Sequence, residues 1–101
     1  MEVQVELSRI IINETSDQQV IVLKETDGDR RMPIVIGIVE IFAIDRKLKD
    51  ISMPRPMTHE LLQSVIHNLG ASVEKITITD LKQHTFYAAI TLKKSGGEVI
   101  E

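Results

Sequence analysis

The sequence predicts an α+β domain of mainly antiparallel strands, in the order βββααββ(β), folded as one compact domain over residues 1–101. Three observations carry that class. Aliphatic β-branched residues cluster in short runs at 10–12, 20–22, 34–36 and 73–78, as pleated strands favour. Two other segments space apolar residues three and four apart, the period of an amphipathic helix. Short polar or glycine-bearing stretches separate the strand runs, so neighbours in sequence fold back on one another.

Val3, Val5 and Leu7 alternate with Gln4, Glu6 and Ser8, the period of a half-buried strand, and the pattern continues through residues 10–12. Residues 13–18 are uniformly polar and end it. Gln19–Glu25 reads as a second strand. Thr26-Asp27-Gly28-Asp29 is a turn in which Gly28 can take a positive φ at no steric cost. Arg31–Ile36 closes a meander. Gly37 breaks the pattern, and Ile38, Ile41, Ile44 and Leu48 then predict a helix over residues 39–49.

Two prolines make Ile51-Ser52-Met53-Pro54-Arg55-Pro56-Met57 an extended, stiff connector. Thr58 is the expected N-cap of a second helix, with Leu61, Leu62, Val65, Ile66 and Leu69 as its apolar stripe and Gly70 as its stop. Residues 73–81 alternate again, Lys82-Gln83-His84 turns, and residues 85–93 pair back as a hairpin. Ser95-Gly96-Gly97 is a last turn before a short strand at Val99 and Ile100.

Composition bounds the function. A chain of 101 residues gives up roughly two-thirds of its unfolded surface on folding, so its stability is modest or shared with a partner subunit. No apolar run approaches the roughly 20 residues of a membrane span and no signal-peptide pattern opens the chain, so a soluble cytoplasmic protein is expected. The absence of cysteine excludes disulfides and thiol nucleophiles. A net charge of −3 argues against a broad basic surface for duplex DNA. With Phe42, Phe86 and Tyr87 the only aromatics, a base-stacking platform is not expected either. No phosphate-binding P-loop, dinucleotide glycine fingerprint, HExxH zinc motif or GxSxG elbow is present.

The densest polar cluster is Arg55 followed by Thr58-His59-Glu60 at the head of the second helix. A helix N-terminus attracts anions, Arg55 could clamp a phosphate in bidentate fashion, and His59 could move a proton near neutral pH. The structural alternative is that Thr58 caps, Glu60 complements the helix dipole and His59 is solvated. Glu40 stands among Ile38, Val39, Ile41 and Phe42, so it lies either on the exposed face of the first helix or buried with a partner, Arg55 being a candidate. Asp80 ends a strand and is expected to accept turn N–H bonds. His67 and His84 are isolated, and His59 and His67 stand too far apart on one helix to share a metal.

Several segments together resemble the bifunctional nuclease domain family: Met32-Pro33-Ile34-Val35-Ile36-Gly37 with Glu40 and Ala43-Ile44; Pro54-Arg55-Pro56-Met57-Thr58-His59-Glu60-Leu61-Leu62; Leu69-Gly70; Asp80-Leu81; and Thr85-Phe86-Tyr87-Ala88. The resemblance covers essentially the whole chain. It implies a compact α+β domain that associates as a homo-oligomer, a dimer or larger, and, from the family's plant members, hydrolysis of RNA and DNA. Glu40, Arg55, Thr58, His59 and Glu60 match the family's polar motif positions. The chain departs from the family in two places. Gln83-His84 replaces an acidic residue and Gly or Asn in the last hairpin turn. Relatives also continue through an Arg-Pro-Ser-Asp-Ala segment into a further helix, whereas this chain stops at Glu101, so a domain lacking that C-terminal segment is expected.

Two functions follow from these residues. In a nuclease, Arg55 and Thr58 would bind phosphate, His59 would transfer a proton, and Glu40 or Glu60 would act as base or hold a divalent cation such as Mg²⁺ or Mn²⁺. In a non-catalytic binding or oligomerisation module, Glu40 and Arg55 would form a structural ion pair and the aliphatic surfaces would mediate assembly.

Overall fold

A computed structural model describes residues 2–13 and 15–101. The element order is the one the sequence predicts: β1 (Val5–Ile11), β2 (Gln19–Glu25), β3 (Arg31–Ile36), α1 (Ile38–Leu48), α2 (Thr58–Asn68), β4 (Ala71–Lys82), β5 (Thr85–Lys94) and β6 (Val99–Ile100). The chain forms two compact units, Met1–Ser52 and Met53–Glu101, each a three-stranded antiparallel sheet with one helix.

In the first unit the sheet order is β1-β2-β3. Leu7, Leu23 and Met32 form one cross-strand row and Ile10, Ile21 and Ile34 the next. Leu7 and Ile10 are three apart, which a regular strand would put on opposite faces. An extra residue, Ser8, is bulged out of the ladder between Leu7 and Arg9, so both aliphatic side chains reach the same face. α1 packs on β2, and Ile41 is fully buried, with Val22 only 8% exposed. Gly37 is the extended N-cap of α1. The far end closes as a Schellman motif, Asp50 N–H to the Lys47 carbonyl at 3.2 Å and Ile51 N–H to the Arg46 carbonyl at 2.9 Å, with Asp50 left-handed at φ 56°.

Gln19, also fully buried, ties down the polar stretch between β1 and β2. Its side-chain amide donates to the carbonyls of Asn13 (2.8 Å) and Ser16 (2.7 Å), and its Oε1 accepts from the Asn13 N–H.

The β2–β3 turn forms where expected, but not for the expected reason. Gly28 does not adopt a positive φ; Gly70 and Gly97 are the glycines that do. What Gly28 supplies is space: a Cβ there would stand 2.8 Å from the Glu25 carboxylate. That carboxylate accepts from the Arg30 guanidinium at 2.7 and 2.9 Å and from the Arg30 N–H at 3.1 Å. These bonds, the guanidinium's first, hold the Glu25 carboxyl below its ordinary value and push Arg30 up. A lowered folded-state pKa stabilises above the unfolded value and is lost as pH falls through the folded one. Glu25→Gln is therefore expected to melt below the parent at pH 7, and the gap is expected to shrink as acid protonates Glu25; a gap that does not change with pH would exclude a charge-based role.

In the second unit the order is β4-β5-β6. The hairpin joining β4 to β5 turns on Gln83 (φ 51°) and His84 (φ 64°), two consecutive left-handed residues with no glycine, so the turn survives this departure from the family pattern. Gly70 (φ 81°) ends α2 as expected, its N–H reaching the His67 carbonyl at 3.0 Å. Asp80 accepts the Leu81 N–H at 2.8 Å and pairs with Lys82 at 3.3 Å. Among the described residues of this unit, Thr91 alone is buried.

Candidate functional site

The prolines lead one to expect a connector extended throughout, but the chain bends at Pro54 and Arg55 and leaves Arg55 exposed just before α2. Arg55, Thr58, His59 and Glu60 thus gather at one end of that helix, all exposed. The N-cap is Met57 (φ −77°, ψ 168°), not Thr58, which is the first helical residue. The reason lies three residues on. Glu60 occupies the third helical position, and its Oε1 accepts the Met57 N–H at 2.9 Å, so the acid fixes where the helix starts. Glu60 is accordingly a helix-starting carboxylate first, whatever else it does. The backbone N–H groups of Thr58 and His59 stand at the positive end of the helix dipole.

Glu40 takes the equivalent position in α1. It is exposed, three residues after an extended N-cap (φ −77°, ψ 166°), and folds back over that cap so closely that a Cβ on Gly37 would meet its Oε1 at 2.9 Å. Of the two placements the sequence left open for Glu40, the exposed one holds.

Along the C-terminal half of α2, Gln63, Ser64, Ile66, His67 and Asn68 line an open crevice of about 400 Å³ together with Ala71, Ser72 and Val73 of β4. The sequence gives no sign of it beyond the four-residue spacing of Gln63 and His67, because Ser72 enters from β4. Among the described residues no three His, Asp or Glu side chains gather as a metal centre. None of the described helices is long and apolar enough to cross a membrane.

Comparison with known proteins gives one family. The bifunctional nuclease domain matches over residues 21–101. An uncharacterized protein of Mycobacterium tuberculosis (strain H37Rv) is 36% identical over 92 residues, 91% of this chain and 56% of its own length. Bifunctional nuclease 1 of Oryza sativa subsp. japonica is 26% identical over 88 residues, 86% of this chain and 27% of its own length. The chain therefore spans about half of the mycobacterial relative and about a quarter of the plant one.

Proposed function

The chain belongs to the bifunctional nuclease domain family, and on that premise we propose that it hydrolyses phosphodiester bonds of RNA, DNA or both without strong sequence specificity. The observation supporting this reading is the exposed cluster of Arg55, Thr58 and His59 at the head of α2. Hydrolysis at phosphorus needs charge neutralised on the non-bridging oxygens, a proton taken from the attacking water and a proton given to the leaving oxygen. The Arg55 guanidinium meets two phosphate oxygens in its planar fork, and the Thr58 hydroxyl and the helix N-terminus add donors. As the new P–O bond to water forms and the old one breaks, His59 protonates the leaving oxygen. Glu60 takes the water's proton and meanwhile keeps the helix start, and so Arg55 and His59, in place.

The described carboxylates do not fit a metal centre built by the protein alone. Mg²⁺ or Mn²⁺ would instead rely on one or two of them, water and the substrate's own phosphates.

Cleavage of single-stranded RNA and DNA by the purified protein tests this reading, with Mg²⁺ or Mn²⁺ and with EDTA. His59→Ala is expected to lose about 100-fold or more in rate and Arg55→Ala a comparable factor, with far-UV circular dichroism unchanged for both. Cleavage indifferent to both substitutions would remove the site, and a folded parent that cleaves neither polymer under any condition would remove the activity.

A further inference from the structure

The crevice along α2 takes no part in the chemistry assigned to Arg55, Thr58 and His59, yet its lining restricts what it can hold. Five polar side chains line it, Gln63, Ser64, His67 and Asn68 from α2 and Ser72 from β4, and the rest of the lining is aliphatic. No Asp or Glu is among them to hold a cation, and no Lys or Arg to hold a phosphate. Such a lining matches an uncharged group that is rich in hydrogen-bonding atoms and partly apolar. A volume of about 400 Å³ is room for one of small-molecule size. A nucleoside is such a group.

Helix geometry connects the crevice to the head of α2. Successive residues turn about 100° and rise about 1.5 Å. Gln63 and His67 follow His59 by four and eight residues, so the three form one stripe, about 6 and 12 Å along the axis from His59. Glu60 falls on the same side of the helix. The residues that α2 offers to a packing neighbour, Leu61, Leu62, Val65 and then Leu69, lie on the other side.

We propose that the crevice is a nucleoside subsite: it holds the base and sugar of the nucleotide whose phosphate sits at Arg55, Thr58 and His59. The identity of this ligand rests on the nuclease reading. The Gln63 and Asn68 amides each present a donor and an acceptor to the edge of the base, and turning an amide over exchanges the two, so every base is accommodated. The Ser64 and Ser72 hydroxyls meet the sugar oxygens, and the His67 imidazole offers the base a flat face. Such a subsite accords with cleavage that has no strong sequence specificity.

Titrating the isotopically labelled chain with adenosine monophosphate and, separately, with ribose 5-phosphate tests this by NMR, without any need for cleavage. Adenosine monophosphate is expected to shift the amide signals of Gln63, His67, Asn68 and Ser72 together with those of Thr58 and His59. Ribose 5-phosphate, which lacks the base, should bind about 10-fold more weakly and shift chiefly Thr58 and His59. Gln63→Ala combined with His67→Ala falls on exposed helical positions, where alanine favours the fold. The pair should weaken adenosine monophosphate about 10-fold and leave ribose 5-phosphate unchanged. It should also raise KM for single-stranded RNA or DNA about 10-fold with kcat held within about twofold. Shifts confined to Thr58 and His59 with both ligands, or an affinity indifferent to the paired substitution, overturn the subsite and leave the nuclease reading in place. Crevice shifts in a folded chain that cleaves neither polymer would instead remove the nuclease reading and leave a nucleotide-binding site.

Discussion

Ile41→Ala is expected to lower the unfolding free energy by about 3 kcal/mol, and Tm by roughly 15 °C, the largest loss from any single truncation in the first unit. Among the described residues there, Ile41 is the aliphatic side chain with no exposed surface. It lies on α1, which packs on β2, so removing three carbons leaves a void that the sheet closes only in part. Against a total of about 5–10 kcal/mol for a chain of this length, such a loss leaves the protein marginal at body temperature. Urea unfolding measures it, and Val39→Ala, at a 63%-exposed position on the same helix, provides the reference with a change below about 0.5 kcal/mol. A loss at Ile41 no greater than at Val39 would mean that α1 is held by something other than this contact.

Gln19→Leu should cost about 2 kcal/mol and leave the stretch between β1 and β2 open to proteases. Leucine preserves the bulk but strands the Asn13 N–H and the carbonyls of Asn13 and Ser16, all now bound by the amide. Asn13 is exposed, so water recovers part of the loss. Gln19→Glu should behave differently with pH. At pH 7 a carboxylate would face two carbonyl oxygens with nothing to donate, whereas below about pH 4 the protonated acid donates one bond again. Stability of Gln19→Glu is thus expected to rise, relative to the parent, as pH falls. A flat difference would show that the side chain acts by filling space alone.

The order of strands and helices was legible because each depends on a local period, and local periods survive in a linear chain. The helix at 38–48 and its successor at 58–68 follow from isoleucine and leucine spacing. Their first residues were harder. Thr58 is the stronger capping residue by type, yet Glu60 reaches back to Met57, and Glu40 folds back over Gly37 in the same way. The acid three residues downstream was the better signal in both helices. At Gly28 the turn forms where the sequence places it, but the constraint comes from the Glu25 carboxylate rather than from backbone torsion.

Arg55, Thr58, His59 and Glu60 were legible as a group because chain neighbours at a helix start remain neighbours in space. Gln19 was not, since nothing in a strand-forming run reveals that its amide folds over residues three and six positions away. In the sequence the alternation over residues 73–81 looks continuous. It changes phase twice, and only the partner strand shows that each change is absorbed by one unpaired residue, Glu74 and then Thr79.

Those unpaired residues have a meaning for how such a gene can change length. Dropping one codon within a regular strand turns every later side chain over and exposes what had been inside. Dropping Glu74 or Thr79 does the reverse: Val73 and Ile76, or Ile78 and Leu81, would then sit two apart and keep their common face. Ser8 has the same property between Leu7 and Ile10. When homologous chains are aligned, single-residue gaps inside strands belong at these three positions, where an insertion or deletion leaves the inward and outward sides of the sheet unchanged.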